Sequence, residues 1–231
     1  TARCNPLWQP IPCPLSDIEG LESWLGDMAA QGLVPVTIGQ NFARFRCSQP
    51  KAVRYRLNAK PAPETFLEFA PGTPDGEERA LAQECGWYYV TAVGDFFLYA
   101  CEDSDAPELN TDPQVQALSL RYAKRQVFAP AGLLAYWLVT FWVRYAMGVW
   151  HTPVIDFVEL GWLSFCYLGL LAAALVSVVH NTVLLYRFSA RLTRGAEPER
   201  HKNWRKGAGR YLVGRVLAAL LFVLTLSLIH I

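Results

Sequence analysis

The chain is predicted to fold as an α+β N-terminal domain followed by an all-α transmembrane region. Three observations predict this. Residues 127–150 and 160–186 are long apolar runs, and a third run spans 211–231, whereas the segment before Val127 mixes charges with short apolar stretches. A hydrocarbon core ~30 Å thick is spanned by about 20 apolar helical residues, so these runs suffice for at least two spans and a third. Within the front segment a helix–strand–strand pattern occurs twice, each copy preceded by a further strand. Two strand-helix-strand-strand units of this kind are expected to make an antiparallel sheet with helices on one face.

The elements follow in order. A first strand is expected at Arg3–Trp8. Ser16-Asp17-Ile18-Glu19 has the form of a capping box, with Ser16 as N-cap and Glu19 three residues on. Ile18, Leu21, Leu25 and Met28 then recur at helical spacing beside Trp24, and Gly32 suits a C-cap. Strands are expected at Leu33–Ile38 and Phe42–Cys47, around a turn at Gly39-Gln40-Asn41. Pro35 cannot donate to a ladder, so its strand belongs at an edge or carries a bulge. Ala52–Leu57 alternates Val53, Tyr55 and Leu57 with Arg54 and Arg56, the pattern of a half-buried strand.

The second unit repeats the first. Thr73 and Pro74 suit a helix start, Leu81 and Cys85 supply apolar positions, and Gly86 closes the helix. Trp87–Val93 and Phe96–Cys101 read as strands around the turn Gly94-Asp95. Gly32 corresponds to Gly86, Gly39 to Gly94, and the pair Phe42/Phe45 to Phe96/Tyr99. A proline-rich stretch, 61–75, connects the units. An acidic stretch, 102–113, leads to a helix over Gln114–Gln126.

The expected divisions are a domain over 1–113, a connecting helix over 114–126, spans at 127–150, 160–186 and 211–231, and a basic loop at 187–210. Arg121, Lys124 and Arg125 precede the first span, and the connector His151–Glu159 has no lysine or arginine. The loop carries Arg187, Arg191, Arg194, Arg200, Lys202, Arg205, Lys206 and Arg210. Positive charge stays on the cytoplasmic side, which puts the front domain and the basic loop inside. The expected location is therefore a cell membrane, multi-pass, with the N-terminal domain cytoplasmic. Trp150, Trp162 and Trp204 lie near the expected interfaces. Arg144, His180 and Asn181 are the candidate intramembrane polar residues, read as a snorkelling arginine and as interhelical hydrogen-bonding groups. The basic loop has two readings, attraction to anionic headgroups or docking of an acidic partner or nucleic acid, and topology favours the first. The N-terminus lacks a basic start followed by an apolar stretch, so no signal peptide is expected. The third run stops within apolar sequence, and Leu226–Ile231 resembles translated adapter sequence, so the third span is read as truncated and the number of spans beyond it stays open.

A formal net charge of +1 argues against direct nucleic-acid binding, which needs a basic face or stripe. None of the six cysteines stands at CxxC spacing, and all are expected as reduced, buried thiols. The four histidines all lie in the back half, leaving the front domain without a nucleophile–base set. Glu77, Glu78 and Glu84 read as a solvated helix face, and Glu102, Asp103 and Asp105 as a solvated linker. No phosphate-binding loop occurs. The expectation is a non-enzymatic protein with no cofactor and no metal. Trp87, Tyr89, Phe97 and Tyr99 are the candidate partner-binding residues, because consecutive aromatic strands put rings on both sheet faces. The alternative is that the linker or a second copy covers that face. The favoured function is an adaptor or sensor with a cytosolic protein-binding domain; the alternative is a small transport or channel component that uses Arg144 and His180.

The stretches "DIEGLESWLGDMAAQGL", "YRL" at Tyr55–Leu57, "ECGWYYVTAVGDFFLYA" at Glu84–Ala100 and "ELNTDPQ" at Glu108–Gln114 resemble the domain of unknown function 2812 family. The resemblance covers Arg3–Gln126 and implies a bacterial membrane protein with a soluble N-terminal domain and a few C-terminal spans. It further implies a gene setting beside PadR-type transcriptional regulators, and hence a PadR-type regulator or other cytosolic protein as partner, besides membrane lipids and a possible homo-oligomer. It assigns no catalytic residue.

Overall fold

Strand, helix, strand, strand is laid down twice along the chain, and each copy closes its own small sheet. The computed structural model describes residues 7–61, 71–109, 113–127, 132, 136, 139, 143, 146–147, 162–196, 198–199 and 201–229. The first copy is β1 (Leu7–Pro10), α1 (Ile18–Ala30), β2 (Leu33–Ile38) and β3 (Phe42–Cys47); the second is β4 (Arg54–Ala59), α2 (Gly76–Glu84), β5 (Tyr88–Val93) and β6 (Phe96–Cys101). The strands form two antiparallel three-stranded sheets, ordered β1-β3-β2 and β4-β6-β5. The single sheet expected from sequence is thus two sheets. β2 and β5 lie beside each other without joining them into one ladder.

The repeat extends to detail. Gly32 and Gly86 both take positive φ, 81° and 82°, just past the ends of α1 and α2. β2 and β5 are both edge strands with a register shift, at Pro35/Thr37 and at Tyr89/Thr91. The edge-or-bulge expectation for Pro35 is met by both features at once. Gly94 has positive φ as its turn requires, whereas Gly39 does not.

Several boundaries differ from expectation. The N-cap of α1 is Asp17, whose carboxylate accepts from the Gly20 N–H at 3.1 Å, rather than Ser16. α2 begins after Asp75, which accepts from the Gly76 N–H, rather than at Thr73. In both cases the carboxylate nearest the helix takes the free N–H groups. The expected helix over Gln114–Gln126 is divided into α3 (Pro113–Ser119) and α4 (Arg121–Val127). β4 lies two residues later than expected. The Arg3–Trp8 strand is described only from Leu7.

α1 is the centre of the domain. Ile18, Leu21, Trp24, Leu25 and Ala29 are buried, and the helix packs against both β2 and β4, so it touches both sheets. Trp24 meets Phe45 edge to face with ring centroids 5.5 Å apart. The side chain of Glu22 reaches β4 and accepts from the Leu57 N–H at 2.7 Å, covering an otherwise open strand edge.

The chain divides into two compact units. One holds Thr1–Gln126 together with Leu184–Gly209; the other holds Val127–Val183 and Arg210–Ile231. The division crosses the long helix Trp162–Thr193. Within that helix Ala172–Thr193 is long and apolar enough to cross a membrane, and among the described residues it is the one such segment. Residues 205–229 also form a helix, Arg205–Ile229. The expected first span, with Arg144, and the connector 151–159 lie largely outside the described residues.

Candidate functional site

Helix α1 carries a polar line opposite its apolar stripe. Glu19, Ser23 and Asp27 stand four residues apart, which places them on one face, and Asp17 stands at the helix entrance. The segment that meets this line comes from far along the sequence. The helix Trp162–Thr193 ends in a turn in which Gly195 N–H donates to Leu192 O and Ala196 N–H to Arg191 O, closing its last carbonyls. The chain then runs along α1. Arg191 pairs with Glu19 through its guanidinium, and the backbone N–H of Glu199 donates to the other Glu19 oxygen at 3.0 Å. Lys202 Nζ donates to Asp17 at 2.6 Å while its own backbone N–H donates to Ser23 Oγ at 2.9 Å. Trp204 Nε1 donates to Asp27 at 3.0 Å, and the Arg205 guanidinium stands 3.6 Å from the same carboxylate.

Four consecutive attachments along one helix make a latch. The ends differ in character. The Glu19 side chain is 3% exposed, so its charge is removed from water and requires both partners. Arg205 is 70% exposed and contributes little by itself. Two further contacts hold the latch from behind. Lys124 of α4 donates to Ser189 and lies over the ring of Tyr186, and burial holds the Lys124 ammonium below its usual range. Leu185, Phe188 and Leu192 are buried at helical spacing. The docking reading of the basic loop therefore has its acidic partner within the chain, on α1. Trp204, expected near a headgroup layer, is hydrogen-bonded to Asp27.

A second polar cluster fastens the acidic linker to the second sheet. Arg56 grips Glu108 with two donors, at 2.9 and 3.2 Å, and Glu22 with a third at 2.9 Å. Burial pushes the Glu22 carboxyl up to about 7, against the opposing pull of Arg56 and of the Leu57 N–H. Arg54 donates to the carbonyls of Asp103 and Ala106 and lies over the Trp87 ring at 5.2 Å.

That fastening decides the fate of the four aromatic candidates. Trp87, Phe97 and Tyr99 are buried, packed with Ala82 and Cys101 and flanked by Ala106 and Leu109 of the linker. Trp87 Nε1 donates to Pro107 O at 2.8 Å. The linker covers this face, and three of the four rings are core. Tyr99 donates to Glu78 at 3.0 Å, and Glu78 also accepts from Asn58, so Glu78 is an internal tie rather than part of a solvated face. Tyr89 alone reaches the surface. It lies under the Arg79 guanidinium and lines a cleft of about 170 Å³ with Arg79, Gln83 and Tyr88.

The remaining candidates are placed as follows. His180 is exposed on the helix Trp162–Thr193, and Asn181 donates to Ser177 one turn earlier in the same helix at 3.4 Å. Arg144 lies outside the described residues. Among the cysteines, Cys13, Cys85 and Cys101 are free thiols, with Cys13 pushed up to about 12 chiefly by burial. Cys47 is disulfide-bonded, which corrects the reduced reading at that position. Among the described residues no cluster of His, Cys, Asp and Glu is placed to hold a metal ion.

The latch residues Glu19, Ser23 and Asp27 were legible as polar residues at four-residue spacing, and the basic loop as a run of charge. Their pairing across the intervening span was not. Compared with known proteins, residues 17–131 match the family model described as "Protein of unknown function (DUF2812)", and the domain formed by those residues belongs to that family. No curated protein and no solved structure matches the chain.

Proposed function

We propose that the protein is a non-enzymatic, membrane-tethered adaptor or sensor whose α+β domain is held by the latch and passes a signal between a bound protein and the bilayer. The observation that carries this reading is the grip of α1 on residues 191–205 through Glu19, Asp17, Ser23 and Asp27. A segment that directly continues a candidate membrane helix is thereby fastened to the central helix of the folded domain. Movement at one end must be felt at the other, or the latch must break.

The same contacts support a multi-pass arrangement. Residues 1–126 and 184–209 pack as one unit, so they lie on the same side of any bilayer. The chain between them then crosses an even number of times, and two crossings suit the apolar runs on either side of 151–159. The positive-inside pattern puts that shared side in the cytoplasm. The disulfide at Cys47 pulls against this placement, because cytosolic thiols are kept reduced. The partner that the family resemblance implies is a PadR-type regulator.

Two variants set the latch. Arg191→Glu with Lys202→Glu opens it by placing like charges together. An oxidised cysteine pair made from Ser23→Cys and Lys202→Cys locks it. Affinity capture from membranes of cells carrying the open, native and locked forms is expected to recover a protein whose yield differs between open and locked. Recovery of the same proteins at the same yield from all three would end this reading.

A further inference from the structure

The two copies of the repeat treat one sheet face in opposite ways. In the second copy Phe96, Leu98 and Ala100 of β6 are buried, at 3%, 0% and 0% exposure. The corresponding positions of β3 are Phe42, Arg44 and Arg46, and all three are exposed. Alternation along a strand puts them on one face, with Ala43 and Phe45 buried on the other. In register, Trp8 stands opposite Arg44, and Val34 stands opposite Arg46. Trp8 is 59% exposed and Phe42 is 52% exposed. Among the described residues the side chains of Arg44 and Arg46 take part in no hydrogen bond or ion pair, in contrast to those of Arg54, Arg56, Arg191 and Lys202.

Where the second copy has a core face the first has a surface: Arg44 and Arg46 stand in place of Leu98 and Ala100, and Phe42 in place of Phe96. Solvation alone explains the arginines but not two large rings left in water, which costs apolar burial that any polar residue would avoid. Rings and guanidinium groups together suit one environment well, the headgroup layer of an anionic bilayer. There an indole ring finds its amphipathic boundary, and an unpaired guanidinium finds phosphate. The face is small, with two cations, and by itself would bind weakly: each arginine near an anionic surface gains roughly fivefold. The chain nevertheless carries a helix long and apolar enough to cross a membrane. Tethering makes docking intramolecular, so a weak contact is sufficient.

We propose that the outer face of the β1-β3-β2 sheet, formed by Trp8, Phe42, Arg44 and Arg46, is a docking surface for anionic lipid headgroups. The occupant is the bilayer surface rather than a nucleic acid: the chain's formal net charge of +1 offers no basic track for a phosphate backbone. The proposal stands apart from the latch, which uses other residues on another element.

The test uses the full chain in lipid nanodiscs of two compositions, phosphatidylcholine alone and phosphatidylcholine with phosphatidylglycerol, each with brominated acyl chains as quencher. The Trp8 signal is isolated as the difference between the native chain and Trp8→Phe. The expected result is quenching of Trp8 in the phosphatidylglycerol discs and much less in the neutral ones. High salt should reverse it, since ~1 M shortens screening to about 3 Å. Arg44→Gln with Arg46→Gln should lower the docked-to-free ratio by roughly 25-fold, two factors of five. Both variants change exposed side chains, and circular dichroism checks that they fold. Three outcomes would overturn the proposal: no quenching in the anionic discs, quenching indifferent to composition and to both arginines, or a Trp8 signal that answers instead to a single-stranded oligonucleotide or to protein concentration.

Discussion

Glu22 sits on the apolar side of α1, one turn from Ile18 and three residues before Leu25, where a carboxylate is out of pattern. Its two oxygens accept from Arg56 and from the Leu57 N–H, so the site is built for the ionised form, yet burial opposes ionisation. The balance raises the carboxyl from 4.5 to about 7. A group whose folded value is raised favours the fold most below its unfolded value, and that contribution is lost as pH rises through the folded one. The loss here amounts to up to about 3 kcal/mol. Hydrogen-exchange protection at the Leu57 amide and along β4 is therefore expected to fall between pH about 5 and about 8, and to stay flat over that range in Glu22→Gln. A wild-type profile as flat as the variant's would show that Glu22 is not the titrating group. The sequence contained the clue, a lone acid inside an apolar stripe, but its partners lie far along the chain on β4, at Arg56 and the Leu57 N–H.

At the scale of elements, the repeat makes its own control experiment. Gly32 and Gly86 end equivalent helices with the same left-handed backbone, so an L side chain costs about 1–2 kcal/mol at either. Their surroundings differ. A Cβ on Gly32 would lie 2.7 Å from the Ser48 carbonyl oxygen, a backbone atom that cannot step aside, whereas on Gly86 the nearest atom is 3.6 Å away. Gly32→Ala is expected to destabilise the domain by ~1–3 kcal/mol more than Gly86→Ala, through overpacking. Denaturant-dependent proteolysis of the detergent-solubilised chain compares the two, and equal losses would contradict the close approach. The equivalence of these glycines was readable from spacing alone, as were β2, β3 and β6 to the residue, because alternation and turn residues act locally. The helix starts were read one to two residues early, since Ser16, Thr73, Asp17 and Asp75 are all competent caps and only the final backbone path selects among them.

For the whole molecule, the packing of 184–209 with 1–126 constrains topology more than hydropathy does. An impermeant maleimide applied to intact cells is expected to label Asp156→Cys and to leave His201→Cys unlabelled until the membrane is opened, against the background of the native thiols. Cys47, freed by a reductant, is expected to respond on the same side as position 201. Labelling of 201 and Cys47 on opposite sides would exclude the latch. The chain's linear order was enough to determine the division into a mixed front segment and apolar runs, the doubled strand-helix-strand-strand unit and the family, because each rests on periodicity, length or local motif. The split into two sheets, the covering of Trp87, Phe97 and Tyr99 by the linker, and the docking of Arg191, Lys202 and Trp204 on α1 were decided by the fold. Those features depend on which surfaces meet across long stretches of chain. An amphipathic pattern records that a face will be covered, but the same burial results whether a linker, a helix or a second sheet covers it.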